Sequence, residues 1–266
     1  METEQRKAIT EILSLGGEME IISVDLSWRT VTDAGLKHLK GLPQLQRLDL
    51  KGTEIDDGGL QHLAGLIQLQ TLDLSHNAVT DLGLVHLQGL SQLRELNLWC
   101  TAITDAGLKN LKSLSQLASL NLWETQVADV GLEFIKELPQ LRELNLSWTR
   151  ISDAGLAHIR GLNQLRELKL SFTAITDDGL THLKGLTQLR ELNLSQTRIS
   201  DAGLQHLQYL TRLQHLDLQS TNVTEAGIRR LASLPELRVL HIENTTLTYG
   251  KLMGLRKALP NVAVEL

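Results

Sequence analysis

Cysteine is almost absent from this chain, whose 266 residues contain only Cys100. A single thiol excludes an intramolecular disulfide and a cysteine-based zinc cluster. Aromatic residues make up only 3% of the sequence, whereas a core of ordinary composition mixes aromatic and β-branched residues with leucine. The sequence has no stretch of about 18 apolar residues, so it predicts no membrane-spanning helix.

Charge and the first residues narrow the function classes further. The chain carries 26 Lys and Arg against 31 Asp and Glu, a formal net charge of −5. We therefore expect no binding to nucleic acid, because phosphate contacts need clustered basic side chains. Residues 1–7 lack the apolar segment of a secretory signal, and with one cysteine we expect an intracellular, cytoplasmic protein. Secretion as an effector stays open as an alternative.

Leucine, by contrast, is abundant and recurs at a fixed spacing. The chain contains 59 leucines, and aligning it on itself gives a period of 24 residues without insertion or deletion. The shared pattern is L-x-x-L-x-L-x-x-T-x-[IV]-[TS]-D-x-G-L-x-x-L-x-x-L-x-x, and residues 141–164 read LRELNLSWTRISDAGLAHIRGLNQ. Such a period predicts a solenoid in which each unit packs only against its neighbours.

This pattern resembles the leucine-rich repeat family, whose units share the signature L-x-x-L-x-L-x-x-N/C-x-L. The T-D-x-G-L half is similar to the cysteine-containing subtype of ubiquitin-ligase substrate-recognition subunits and to bacterial repeats of similar length. Threonine stands where those repeats have Cys or Asn, and the sequence shows no F-box-like segment before the repeats. The resemblance therefore implies a binding role and not the ligase function.

The residue pattern itself predicts an α/β fold. Leu48 and Leu50 alternate with Asp49, which indicates a short strand with both leucines facing inward. Thr104 and Asp105 predict the start of a helix that runs to about Lys112, with leucines three residues apart on its inner face. We therefore expect ten parallel strands in a right-handed leucine-rich-repeat horseshoe, with the sheet on the concave face and short helices on the convex face.

The threonines and glycines that recur in each repeat are expected to have structural roles. The threonine column, with Asn77 in one unit, is expected to be buried and to satisfy backbone groups in the turn. The glycines of D-x-G-L, such as Gly107, are expected to let each helix approach its neighbour closely. A second set of glycines is expected to end the helices in the left-handed conformation: Gly41, Gly65, Gly89, Gly161 and Gly185.

The ends of the chain differ from the repeats between them. Residues 1–20 are expected to form an N-terminal capping helix, and residues 21–260 form ten 24-residue repeats. Residues 261–266 are interpreted as a half-repeat strand with Val264 and Leu266 facing inward. Because no helix follows this strand, its edge is expected to allow weak self-association.

Outward strand positions form four columns along the repeats, and two of them hold the aromatic residues. In the unit that starts at Leu93, the first to fourth columns are Glu95, Asn97, Trp99 and Cys100. All four tryptophans and one phenylalanine lie in the third and fourth columns: Trp28, Trp99, Trp123, Trp148 and Phe172. The last four come from consecutive units, so we expect one patch about 15 Å long. Exposed aromatic clusters favour an interface; the alternative is that the rings only cover neighbouring strand ends.

Glutamates of the first column complete the candidate site: Glu95, Glu143, Glu167 and Glu191. They are expected to select a partner with a basic or mixed surface, by steering and orienting it more than by adding affinity. The hypothesis is non-catalytic binding of a protein partner through the concave face, with no cofactor and no metal. Two alternatives remain open: a glycan-binding module that stacks sugars on tryptophan, and a consensus-like or excised repeat scaffold without a partner of its own.

Other side chains that could be catalytic or bind a metal are expected to do neither. Cys100 lies between His76 and Glu124 in the fourth column, but Glu124 is on the wrong side to orient the imidazole as a triad requires. Six histidines share a helix-side column without a carboxylate, which favours half-exposed positions over a metal site: His38, His62, His86, His158, His182 and His206.

A last polar group lies near the end of the chain. His215, Asp217 and His241 cluster on the last outward strands, one strand from Glu191, and are expected to form a polar rim. The sequence contains no phosphate-binding loop, serine elbow or zinc motif. We therefore expect that the chain is not an enzyme.

Overall fold

The computed structural model describes residues 22–247, 254, 255 and 257–265. The protein forms two compact units. Unit 1 comprises Met1–Gln126 and Glu137–Gln140, and unit 2 comprises Val127–Lys136 and Leu141–Leu266. The predicted capping helix at residues 1–20 and the predicted inward position of Leu266 lie outside the described residues.

The described part of unit 1 contains five short strands, one from each repeat. Strands β1 to β5 span Ser23–Asp25, Arg47–Asp49, Thr71–Asp73, Glu95–Asn97 and Ser119–Asn121. Neighbours pair in parallel with a 24-residue offset, so that Leu48 lies opposite Leu72. Each strand ends one residue earlier than the predicted L-x-L segment, at Asp49 in β2, yet Leu50 is still fully buried. The predicted parallel pairing with inward leucines is therefore confirmed.

Unit 2 has the same arrangement. Its described strands β6 to β11 span Glu143–Asn145, Glu167–Lys169, Glu191–Asn193, His215–Asp217, Val239–His241 and Ala263–Glu265. They pair in parallel in chain order. Val264, at the centre of β11, is buried.

The return segments are shorter than predicted and mix two kinds of helix. The α-helices span Asp33–Leu36, Asp57–Leu60 and Asp105–Leu108 in unit 1, and Leu132–Ile135, Asp153–Ile159, Asp201–Leu204 and Glu225–Arg230 in unit 2. The 3-10 helices span Lys37–Gly41, Gly83–Leu87 and Lys109–Leu111 in unit 1, and Asp129–Gly131, Gly179–Gly185, Gln205–Tyr209 and Leu231–Ser233 in unit 2. Leucines spaced by three suit the three-residue turn of a 3-10 helix. Within the described ranges, no helix is long and apolar enough to cross a membrane.

The threonine column satisfies the turn backbone, as predicted. In unit 1, the hydroxyl of Thr53 donates to the carbonyl of Leu50 at 2.7 Å, and Thr125 donates to Leu122 in the same way. Asn77 extends this role, because its amide donates to the carbonyl of Leu50 at 2.7 Å and its oxygen accepts from the backbone N–H of Thr53 at 3.0 Å. These buried hydrogen bonds remove the cost of unpaired backbone groups.

An aspartate ladder, which the sequence analysis did not predict, joins successive helix starts. In unit 1, the Asp81 carboxylate accepts from the backbone N–H of Thr104 at 2.8 Å and from its hydroxyl at 2.6 Å. The Thr104 hydroxyl in turn accepts from Ala106 N–H, which confirms its predicted capping role. A Cβ on Gly107 would overlap the Asp81 carboxylate. The predicted close approach at the D-x-G-L glycines is therefore confirmed, and the aspartate explains it.

The predicted left-handed helix ends were wrong. None of Gly41, Gly65, Gly89, Gly161 and Gly185 has a positive φ. The left-handed conformation instead occurs at the fourth column, for example at Trp28 (φ 57°) and Gly52 (φ 61°). The leucine that follows a 3-10 helix turns the chain there, for example Leu42 with φ −121° and ψ 61°. The left-handed bend of the repeat lies at the fourth column, three residues after the strand ends, as at Gly52 after Asp49.

Candidate protein-binding surface

Two side chains of each strand point away from the leucine core and define the exposed sheet face, for example Glu95 and Asn97 of β4. The aromatic residues lie just beyond the strands, in the third and fourth columns. Trp28 is 65% exposed, Trp148 51% and Phe172 43%, while Trp99 and Trp123 are half-buried. None of the five rings replaces a core leucine, so the rings extend the exposed sheet face.

Within each unit, the structure brings two of these rings into a stacked pair. In unit 1, the ring centroids of Trp99 and Trp123 are 4.5 Å apart and their planes differ by 4°. In unit 2, Trp148 and Phe172 stack at 4.2 Å with an angle of 27°. A single patch that includes all four rings stays a prediction.

Unit 1 also contains a ring cluster that the sequence analysis missed. The imidazole of His76 lies 5.5 Å from the ring of Trp28 and 4.2 Å from that of Trp99, between centroids. The ammonium of Lys51 lies 5.5 Å from the Trp28 centroid and 4.8 Å from the Trp99 centroid, within the range of cation–π attraction. The sequence feature that could have indicated this cluster is Lys51, because it is the only lysine or arginine in the third column.

The two stacked indoles of unit 1 differ in their N–H groups. Trp99 donates through Nε1 to a carboxylate oxygen of Glu124 at 3.3 Å. The Nε1–H of Trp123 is buried and has no hydrogen-bond partner in the described part of the chain. A buried donor without an acceptor costs about 1–3 kcal/mol, so this N–H makes an unfavourable contribution to the stack.

The glutamate column is less uniform than the sequence suggested. Glu95 and Glu143 are exposed, but Glu167 pairs with Lys169 at 2.6 Å and Glu191 lies 3.5 Å from His215. The exposed ion pair of Glu167 with Lys169 contributes little to stability. It does, however, neutralise one glutamate of the acidic column in unit 2.

A second acidic column lies on β1 to β3. Asp25, Asp49 and Asp73 stand opposite one another in register. Burial raises the pKa of Asp49 above its ordinary value, and the charges of Asp73 and Asp25 raise it further, against the lowering effect of its hydrogen bond from Lys51 N–H. Unit 1 therefore concentrates negative charge on the exposed sheet face beside its aromatic cluster.

Asp49→Asn is expected to raise the free energy of unfolding at neutral pH by about 0.2–1 kcal/mol, because like charges on neighbouring strands destabilise a sheet. Asn97 shows that an amide oxygen at this position also accepts the backbone N–H two residues later, at 3.1 Å. The raised pKa of Asp49 means that its protonated form favours folding, so the penalty vanishes as pH falls below the ordinary aspartate pKa. Urea unfolding at pH 7 and at about pH 3 tests this, and a variant less stable than the parent at pH 7 contradicts it.

The polar group predicted on the last strands lines a depression in unit 2. Its volume is about 260 Å³, and its polar lining includes Lys169, Glu191, His215, Asp217 and His241. His215 faces Glu191, while His241 Nε2 lies 3.2 Å from a carboxylate oxygen of Glu265. Among the described residues, no group of three or more His, Cys, Asp or Glu side chains could hold a metal ion. The geometry is that of a polar rim.

Cys100 shows no sign of activation. Burial raises the pKa of the Cys100 thiol, and Glu124 raises it further, the opposite of what a nucleophilic thiolate needs. The six histidines of the helix side are half-exposed, as predicted.

Comparison with known proteins agrees with this architecture. A family model described as a leucine-rich repeat region matches residues 21–260. The chain therefore belongs to the leucine-rich repeat family, and the predicted α/β leucine-rich-repeat fold class is confirmed. Among curated proteins, no sequence matches the chain significantly.

Solved leucine-rich repeat structures share the fold at low sequence identity. A leucine-rich repeat protein of Leptospira interrogans is 21% identical with a TM-score of 0.69, over 91% of this chain and 60% of that protein. An internalin of Listeria monocytogenes is 21% identical with a TM-score of 0.54, over 98% and 92%. A TDR receptor is 15% identical with a TM-score of 0.61, over 96% and 48%. Proteins of this family are typically non-catalytic interaction scaffolds, and the fold suggests that general role here.

Proposed function

We propose that this chain is a non-catalytic scaffold that binds a protein partner on its exposed sheet face. The Trp99–Trp123 pair is the anchor in unit 1, and the Trp148–Phe172 pair is the anchor in unit 2. The observation that carries the proposal is the stacking of rings within each unit at strand ends. Large flat rings in such positions offer much contact area at a small entropy cost.

The repeat itself does not need these rings. Five other repeats have serine in the third column, and their core leucines are buried too. The equivalent positions Ser147 and Ser195 are small and buried, whereas Trp99 and Trp123 project beyond them into a half-exposed stack. Aromatic side chains that the fold does not require are best explained by a contact outside the chain.

Charge favours a partner with a basic or mixed surface. Glu95 and Glu143 are exposed on the first column, and Asp25, Asp49 and Asp73 add a second acidic column in unit 1. Carboxylates at the rim of an aromatic anchor steer a basic partner and fix its orientation.

A glycan ligand is less well supported than a protein partner. Sugar binding would use the amides beside the tryptophans, but Asn97 and Asn121 already accept the backbone N–H groups of Trp99 and Trp123 at 3.1 and 3.0 Å. Asn97 also donates to Asp73 at 2.7 Å. Asn97 therefore has one acceptor position and one donor fewer for sugar hydroxyls, and Asn121 has one acceptor position fewer.

Affinity capture from native lysate tests the proposal, with the parent chain and two triple variants as bait. The first variant, Trp99→Ala/Trp123→Ala/Trp148→Ala, removes rings from the exposed sheet face. The second, Leu82→Ala/Val85→Ala/Val130→Ala, removes exposed apolar side chains from the return segments. We expect a protein that the parent and the second variant retain and the first loses. Equal retention by both variants, or capture of no specific protein, contradicts the proposal.

Self-association through β11 is a separate prediction. β11 pairs with β10 along one edge, and no strand pairs with its other edge among the described residues. We expect weak dimers of this chain at high micromolar concentration, because a free strand edge offers unpaired N–H and C=O groups. Sedimentation velocity across a concentration series measures this, and a strictly monomeric profile refutes it.

A further inference from the structure

We propose that Trp28, His76 and Trp99 form a binding site for an arginine side chain of the partner, and that Lys51 occupies this site in the free protein. These four residues are called the cation site below. The proposal rests on the proposed function, because the arginine belongs to a partner docked on the exposed sheet face. It goes further in assigning one place in unit 1 and one chemical group, the guanidinium.

The position of the Lys51 ammonium shows that the site attracts a cation. Its nitrogen lies over two indole faces, 5.5 Å from the Trp28 centroid and 4.8 Å from the Trp99 centroid. His76 touches both rings, at 5.5 and 4.2 Å, and so holds them at the two ends of one cluster. Tryptophan gives the strongest cation–π attraction of the aromatic side chains.

Gly52 explains why the cluster exists only at this place. The ring of Trp28 lies directly over Gly52, where a Cβ would overlap ring carbons of the indole. The other repeats carry side chains at the equivalent left-handed position, for example Cys100 and Glu124, so the backbone itself does not demand glycine. The missing side chain lets Trp28 lean across the end of β2 towards Lys51 and His76.

Charge around the cation site favours a positively charged guest. The outward columns of unit 1 hold five carboxylates, Asp25, Asp49, Asp73, Glu95 and Glu124, and two cationic side chains, Arg47 and Lys51, which gives 2 − 5 = −3. Lys51 is only half-buried, so its ammonium can move into water when a guest enters. A guest cation would then take the place of the ammonium beside the indoles.

Arginine is the guest best able to displace a lysine from this position. The guanidinium is planar and stacks on aromatic faces, and it is more weakly hydrated than an ammonium. It therefore loses less hydration when it lies against the indole faces, and it can still donate hydrogen bonds to the neighbouring carboxylates. An incoming lysine would gain little over the one already there.

The test uses fluorescently labelled hexa-arginine, hexa-lysine and hexa-glutamate peptides, with binding followed by fluorescence anisotropy on the full chain. Lys51→Gln removes the internal occupant and is expected to tighten hexa-arginine binding at least threefold. Lys109→Gln makes the same charge change on an exposed helical position of unit 1 and is expected to have little effect. Trp28→Ala and Gly52→Ala are expected to weaken hexa-arginine binding at least threefold, whereas Tyr209→Ala, which removes an exposed ring from a return segment of unit 2, leaves it unchanged.

A site-specific readout accompanies these affinities. Hexa-arginine is expected to shift the indole N–H NMR signals of Trp28 and Trp99 and not that of Trp148. Equal effects of Lys51→Gln and Lys109→Gln, unshifted Trp28 and Trp99 signals, or equal binding of hexa-lysine would each overturn the proposal. The cation site would also be contradicted if a natural partner bound the Trp28→Ala variant normally and failed to bind the triple tryptophan variant. The proposed function would not be contradicted by that result.

Discussion

Leu120→Ala is expected to lower the free energy of unfolding by about 2–5 kcal/mol. Leu120 is the central residue of β5, is 1% exposed and lies opposite Leu96. Its neighbour Leu96 is held by its own strand, so it cannot move in to fill the cavity. Chemical denaturation followed by circular dichroism measures the loss, and Leu144→Ala should behave alike in unit 2, where Leu144 is 1% exposed.

Leu82→Ala is the matched control for the core prediction. It removes the same atoms from a leucine that is 76% exposed, so the free energy of unfolding should change by no more than about 0.5 kcal/mol. A loss below about 1 kcal/mol at Leu120 would mean that the leucine ladder does not carry the stability we assign to it.

Trp123→Ala is expected to weaken binding of the captured partner about thirtyfold, which corresponds to about 2 kcal/mol. The substitution removes half of the Trp99–Trp123 stack, and large aromatic anchors dominate interface energies. The fold should survive, since Leu120 and Leu122 remain in place. Isothermal titration calorimetry with the purified partner measures the change.

Two further variants complete this prediction. Glu225 is the first residue of a helix and pairs with Arg229. Glu225→Ala should leave the affinity unchanged. Trp123→Phe keeps a ring in the stack and should retain most of the affinity, because the indole N–H of Trp123 is buried and is not part of the proposed contact. Wild-type affinity in the Trp123→Ala variant would place the site elsewhere, with the depression around His215 and His241 as the next candidate.

The fold was predictable because one residue type at a fixed spacing determines it. Leu48 and its equivalents define inward strand positions, and Thr104 marks the helix start. The bend after each strand was not predictable in this way, since residues as different as Trp28, His76 and Ser220 all adopt the left-handed conformation there. The chain position dictates that conformation, and no residue preference reveals it. The Asp81–Thr104 hydrogen bonds likewise join residues of successive repeats that only stacking brings together.

Only part of the arrangement of the candidate rings could be predicted from the sequence. Sequence alignment places Trp99 and Trp123 in the same column of adjacent strands, which predicts that they are neighbours, and in the structure they stack. The contact between Trp28 and His76 joins residues two repeats apart and depends on the missing side chain of Gly52. Likewise, the position of the Lys51 ammonium depends on the rotamer of a long side chain, which the repeat pattern does not determine.

Hydroxyl-radical footprinting of the chain, free and bound to its captured partner, shows where the partner binds, because it measures the solvent exposure of individual side chains. We expect the partner to protect Trp99, Trp123 and Trp148 and to leave the oxidation of Leu82 and Val130 unchanged. Protection of Leu82 and Val130, with the three tryptophans oxidised as in the free chain, would place the partner on the return segments and contradict binding through the exposed sheet face.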